Sequence, residues 1–335
     1  MTTRGSAGRR SAVVLGALLA SALAAGVFAG PAFLRPGEVV GALLGRGDPA
    51  AAAIIWSLRL PRVALGFLVG GVLAVSGASL QVLVRNPLAD PYLLGLSGGA
   101  GLGAVLAMAA GIASPWAVPV AAFCGALVAV AAVYRLAAVA GGPLDGRVLV
   151  LAGVVVGSFA GALVGGILAV SDAQGARSAM LWLMGGLGGA GWVAVAALAA
   201  YSVPALAVLL AEARSLDLLA LGEEPARHLG ADVAGAKRRV YVAASVLAAA
   251  AVSAAGIVGF VGLVVPHAVR MLRGHGHRGL LPAAFVGGGA LLVLADAVAR
   301  TAFAPLELPV GVVTALVGVP VFAVLLRRWT ARSSS

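Results

Sequence analysis

Residues able to do chemistry are few in this chain, and they are scattered. The four histidines, His228, His267, His275 and His277, include one HxH pair. That pair sits in a Gly-rich turn without a cysteine or carboxylate at ligand spacing, so it lacks the donor set of a metal centre. No Ser/His/Asp or HExxH arrangement appears, which argues against a membrane hydrolase. Lys237 is the single lysine among 23 basic residues, and it follows Ala236. A phosphate-cradling Walker A loop needs a Gly-Lys pair, so ATP hydrolysis must come from another chain. Cys124, alone, can form neither an intrachain disulfide nor a CxxC cluster. Asp296 is the one acidic residue well inside an apolar stretch, and Arg300 at i+4 is close enough to pair with it. No catalytic residue, bound metal or cofactor is expected.

The elements that position these residues are membrane helices. Of the 335 residues, 61% are apolar and only 10% charged, against about 25% charged in ordinary soluble domains. The mean hydropathy of +1.07 requires many crossings at about 20 apolar residues each. A soluble protein is thereby excluded. Apolar runs of that length fit helices rather than the alternating strands of a barrel, and the 48 glycines let helix backbones approach closely in lipid. The expected fold is an all-α, polytopic helical bundle forming a single domain over 1–335. A net charge of +11 fits basic loops flanking crossings better than nucleic-acid binding.

Spanning stretches fall at about 12–30, 63–83, 92–111, 116–138, 148–170, 192–210, 280–299 and 308–326. The first follows Arg4, Arg9 and Arg10, and its apolar run exceeds a usual signal-peptide core, so it reads as an uncleaved helix. Val240 to Leu272 is too long for one crossing and short for two. If Gly256 reverses the chain, ten crossings put 17 basic residues inside and six outside; a single crossing gives 12 and 11. The positive-inside rule favours ten, with both termini cytoplasmic.

Three segments are more than membrane filler. IWSLRLPR, Ile55 to Arg62, places Arg59 and Arg62 on the outer side, either snorkelling to headgroups or forming a cationic docking surface to which Arg300 would add. VRNPLADPYLL, Val84 to Leu94, carries two prolines; local sequence favours an ordinary turn, with a fold-in along a pathway as the alternative. The interior loop 211–239 contains LDLLALGEEPARHLG, which reads as two short amphipathic helices without a core of their own. They would lie on the membrane or insert into a cytoplasmic partner, and the admixture of Asp217, Glu223 and Glu224 points to the partner.

RLPR at 59–62, NPLADP at 86–91, LALGEEPARHLG at 219–230, GFVGLVVPHAVR at 259–270 and ELPVGVVTALVGVPVF at 307–322 together resemble the FecCD-type permeases of bacterial ABC importers. The resemblance implies a homodimer or pseudo-dimer of ten-helix subunits in the bacterial inner or plasma membrane. It also implies two cytoplasmic ABC ATPase subunits, an extracytoplasmic substrate-binding protein, and a cargo of iron-siderophore, haem or vitamin B12, with siderophore first. By the same resemblance Arg59, Arg62 and Arg300 dock the binding protein. Leu219, Leu221, Gly222, Glu223, Ala226, Arg227, Leu229 and Gly230 couple to the ATPase, and Asn86, Pro87 and Leu88 lie at the cytoplasmic constriction. Asp145 and Gly146 stand where the vitamin B12 permease carries small hydroxyl residues beside the gate. The competing class, an ion-driven secondary transporter, would need a buried ionisable residue near the midplane, for which Asp296 is the sole candidate. A purely structural scaffold would not need five spaced motifs.

Overall fold

The computed structural model describes residues 3–140, 144–274 and 276–333, and among these it is helical, with one isolated bridge and no strand. The helices are α1 (Thr3–Phe28), α2 (Pro36–Leu43), α3 (Pro49–Ala53), α4 (Leu60–Leu83), α5 (Leu96–Ala109), α6 (Ala117–Ala140), α7 (Gly146–Val170) and α8 (Ala173–Leu183). They continue with α9 (Trp192–Ala211), α10 (Ala213–Leu221), α11 (Glu223–His228), α12 (Val233–Ala255), α13 (Val261–Arg273), α14 (His277–Thr301) and α15 (Val310–Ser333). A π-helical turn, Ile54–Arg59, joins α3 to α4, and a 3-10 turn, Pro91–Leu94, precedes α5.

Seven of these helices, with α3 and α4 as one rod, are long and apolar enough to cross a bilayer unaided. Two further apolar stretches, α5 and Val310–Val324 of α15, fall below that length. Both α5 and α13 are shortened because irregular backbone occupies part of their crossing, the 3-10 turn before α5 and residues 256–260 before α13. Such backbone is tolerated at membrane depth only when protein surrounds it. Val258 and Val261 are fully buried, as are Pro91 and Leu94.

The reversal at Gly256 is present. Gly256 ends α12 at φ 67°, ψ −161°, a conformation open to glycine at little cost. Two contacts then fix where α13 ends. The Ser11 hydroxyl donates to the Leu272 carbonyl at 2.7 Å, and the His277 N–H donates to Asp217 Oδ1 at 2.8 Å. Arg270, Arg273 and Arg278 therefore lie on the face that carries α10 and α11, as the ten-crossing reading requires.

Helix α4 is the central rod and is buried on nearly every side from Val69 to Leu80. Its closest neighbour is α14. A Cβ on Gly70 would run into the Gly288 carbonyl, and one on Gly288 into that of Gly70, while Phe67 and Phe285 meet edge to face at 5.6 Å beside them. Small residues at facing positions let two backbones touch where lipid gives no hydrophobic drive for association. Helix α1 joins the bundle through Gly26, against Val63 and Val293. By contrast α7 leaves Leu151, Val154, Val155 and Phe159 exposed, an apolar face suited to lipid or to another chain.

Candidate functional site

Three constellations correspond to the segments singled out in the sequence. The first is the 84–94 segment. Helix α4 ends in a Schellman arrangement in which the Asn86 N–H donates to the Gln81 carbonyl and the Arg85 N–H to that of Val82, with Arg85 at φ 53°. Asn86 Oδ1 then accepts from the Leu88 N–H at 2.9 Å, giving an Asx turn at the tip. Asn86 and Pro87 are exposed and Leu88 half-buried. The chain next turns inward, which corrects the expectation of an ordinary turn. Ala89, Pro91 and Leu94 are buried, Pro91 packs on Gly262, and the Val258 N–H donates to the Tyr92 hydroxyl at 3.1 Å. Local sequence could not show this, because the partners come from α7, α12 and α13. Gly153 of α7 permits the approach, since a Cβ there would strike the Leu93 carbonyl. Asp145 and Gly146 have local explanations. Asp145 caps α7 by accepting from the N–H groups of Arg147 and Val148, and Gly146 lies against the Val84 backbone.

The second constellation is the 211–239 segment. Helices α10 and α11 do have a small core, contrary to the sequence reading: Leu219 and Ala226 pack with Val233 and Ala236 of α12. Glu223 is held at 2.8 Å by Lys237 and lies 3.6 Å from Arg227. Gly222, at φ 119°, and Gly230, at φ 81°, supply left-handed turns at the ends of the two helices. With that core closed, Leu221 (64% exposed) and Leu229 (59%) project outward beside Glu224 and Arg227. The segment thus presents apolar prongs ringed by charge.

The third lies at the opposite face. Arg59, Arg62 and Arg300 come together there, but Arg59 and Arg300 are 4% and 2% exposed, so neither forms the cationic surface expected of it. The Arg59 guanidinium donates to the carbonyls of Val27 (2.7 Å), Phe28 (3.0 Å) and Ala32. It closes the end of α1, where the last turn lacks N–H partners and the helix dipole favours a cation. Arg300 pairs with Asp296 at 2.9 Å and donates to the Gly26 carbonyl at 3.0 Å. Arg62 bonds Asp296 through Nε and Nη2, and Glu307 through Nη1 at 2.8 Å. Its side chain is 14% exposed and that of Glu307 35%. The π-helical turn before α4 re-aims Arg59 toward α1 while Arg62 faces α14. The sequence pairing of Asp296 with Arg300 is present, but the second arginine on Asp296 and the part of Glu307 were not legible, being 234 and 245 residues from Arg62.

His275 of the HxH pair lies outside the described residues. His277 Nδ1 lies 2.6 Å from Asp217 Oδ1. No group of three or more His, Cys, Asp or Glu side chains suited to a metal occurs among the described residues. Gln81 and Arg270, to which the sequence reading gave no role, form a further polar pair in the interior, with Gln81 also donating toward the Ala89 and Gly262 carbonyls.

A bundle with seven apolar helices of membrane-spanning length, an irregular inward-folded segment and a laterally exposed helical segment is that of a polytopic membrane protein. The chain belongs to the FecCD transport family, which it matches over residues 17–328. It is 49% identical over 278 residues to the cobalamin import permease BtuC of Halobacterium salinarum, covering 83% of this chain and 74% of that one. It is 44% identical over 286 residues to the hemin transport permease HmuU of Yersinia pestis, with 82% and 83% covered. The vitamin B12 import permease BtuC of Escherichia coli is 38% identical over 314 residues, 93% of each chain. A solved metal-chelate type ABC transporter, described as inward-facing, superposes with a TM-score of 0.84 at 30% identity, covering 94% of this chain and 98% of that one. The chain is accordingly an ABC importer permease subunit, not itself an enzyme.

Proposed function

We propose that this permease admits a metal held in an organic chelate, delivered by a binding protein on one face and driven by two ATPase subunits on the other, with a second permease copy completing the pathway. The observation that carries the ATPase reading is the pair of exposed leucines, Leu221 and Leu229, on a segment whose own core is already closed. An apolar prong ringed by charge suits insertion into a groove of another protein. For the cargo, the named relatives carry cobalamin and haemin, so a macrocyclic chelate takes the first place that sequence reading gave to iron(III)-siderophore. On the face opposite α10 and α11, Arg62 with Glu307 is the part of the charged cluster that reaches the surface, and it would meet an acidic group of the binding protein. Arg59 and Arg300 would hold that face in shape beneath it.

Vesicles carrying the chain with its neighbouring ATPase and binding protein should take up radiolabelled cobalamin or haemin when loaded with ATP. Uptake of ferric siderophore alone would restore the earlier order. The purified chain by itself should hydrolyse no ATP, and Leu221→Asp with Leu229→Asp should abolish ATPase co-purification without loss of the folded permease. Retained co-purification would remove the coupling assignment.

The orientation follows the 17 to six distribution of basic residues. By that distribution the α10–α11 face and both termini would lie on the cytoplasmic side of the bacterial inner or plasma membrane. In a Cys124→Ala background, Ser333→Cys should react only from the cytoplasmic side and Phe303→Cys only from outside intact cells. The reverse pattern would invert the assignment.

A further inference from the structure

The GFVGLVVPHAVR motif, 259–270, has no part in the proposal above, yet one side chain ties both its ends to the segment that carries Asn86, Pro87 and Leu88. Gln81 is 3% exposed and lies in the last turn of α4. Its Nε2 donates toward the carbonyls of Gly262 (3.2 Å) and Ala89 (3.3 Å), and its Oε1 accepts from Arg270 Nη1 at 2.6 Å. Its backbone carbonyl accepts from the Asn86 N–H. Gln81 thus touches the start of α13, the end of α13 and both sides of the Asn86–Leu88 tip.

Neighbouring contacts bind the same two pieces. Pro91 sits on Gly262, and the Tyr92 hydroxyl accepts from the Val258 N–H. A Cβ on Gly77 would run into the Gly262 carbonyl, so α13 lies directly on the α4 backbone at this point. The 86–94 segment is thus held to α13 and the stretch before it by the Gln81 bridge, the Pro91–Gly262 contact and the Tyr92–Val258 hydrogen bond, whereas its continuation into α5 is a single glycine, Gly95, at φ 71°.

We propose that Gln81 is a positioning residue that holds the gate segment against α13, with Arg270 bracing the glutamine amide so that its N–H donors face Ala89 and Gly262. The amide is required because it offers an acceptor to Arg270 and donors to two carbonyls at once; an ionised carboxylate offers only acceptors. This rests on the reading of Asn86–Leu88 as the gate, and the test separates the two.

The test uses the full chain in lipid nanodiscs, carrying Cys124→Ala and Ala89→Cys, and follows the rate of reaction with a water-soluble maleimide. Ala89 is 3% exposed, so the parent should react slowly, limited by local opening. Gln81→Leu should raise the rate by about tenfold through loss of the hydrogen bonds that restrain opening. Gln81→Glu is the decisive variant. It keeps a partner for Arg270, so its thermal midpoint should stay at the parent value, yet it loses the donors and should react as fast as Gln81→Leu. Arg270→Lys, which retains a donor to Oε1, should react at the parent rate. A parent-like rate in Gln81→Glu would overturn the proposal whatever Gln81→Leu does. If both variants react fast while chelate uptake by the assembled transporter is unchanged, the tie stands and the gate reading falls.

Discussion

Asp296→Ala is expected to cost about 3–5 kcal/mol of stability, seen as a collapse of the thermal midpoint of the detergent-solubilised chain. Asp296 is 3% exposed at its side chain and is the shared partner of Arg62 and Arg300. Its removal leaves the Arg300 guanidinium on α14 without a counter-charge, and an uncompensated buried charge is expensive in a medium that solvates it poorly. Arg62 would retain Glu307, but outside its own helix Arg300 would keep, among the described residues, the Gly26 carbonyl alone. Breaking a buried network differs from replacing it whole. Asp296→Leu combined with Arg62→Met and Arg300→Met should regain most of the lost midpoint. That recovered variant then isolates docking from folding: loss of binding-protein affinity in a stable chain assigns Arg62 to the partner, whereas normal affinity makes the whole cluster structural. A parent-like midpoint for Asp296→Ala itself would show that the arginines find other partners and that the cluster does not hold the helices.

Gly70→Leu should prevent assembly of a folded chain. Ordinary overpacking of a core costs about 1–3 kcal/mol because side chains and backbone can yield. Here the added carbon meets the backbone carbonyl of Gly288, which cannot move unless α4 and α14 separate. Separation would also break the Phe67–Phe285 contact and carry Arg62 away from Asp296. The expected readout is loss of the monodisperse peak on size-exclusion chromatography, with Gly288→Leu behaving the same way. Gly161→Leu on α7 is the control, since a Cβ there meets nothing within 4 Å. It should leave the monomer folded, and if a second copy packs on α7 it should weaken only the dimer. A well-behaved Gly70→Leu would mean that the two helices tolerate greater spacing than their contact indicates.

The contrast between those two glycines marks the boundary between what sequence and tertiary structure each decide. Composition alone established a polytopic helical bundle, because apolar runs of spanning length have few other stable forms in lipid. The distribution of arginines set the reversal at Gly256, since charge placement is a property of loops and needs no knowledge of packing. Five ordered motifs carried the resemblance to the FecCD family, and the Asp296–Arg300 pair was legible as an i+4 spacing. What remained hidden depends on residues that meet only after folding. Gly70 and Gly161 look alike in sequence, yet one touches a backbone and the other open space. Arg59 and Arg62 looked like surface cations because their burial is set by α1, α14 and Glu307, distant along the chain. The inward course of 89–94 and the small core beneath Leu221 and Leu229 escaped local reasoning for the same cause. Sequence fixes how far a helix can reach and which side of a membrane its charges prefer; only the tertiary structure decides which polar groups find partners within the bundle, because the acceptors lie on other elements, 32 residues away for Arg59 and Val27 and 274 for Arg300 and Gly26.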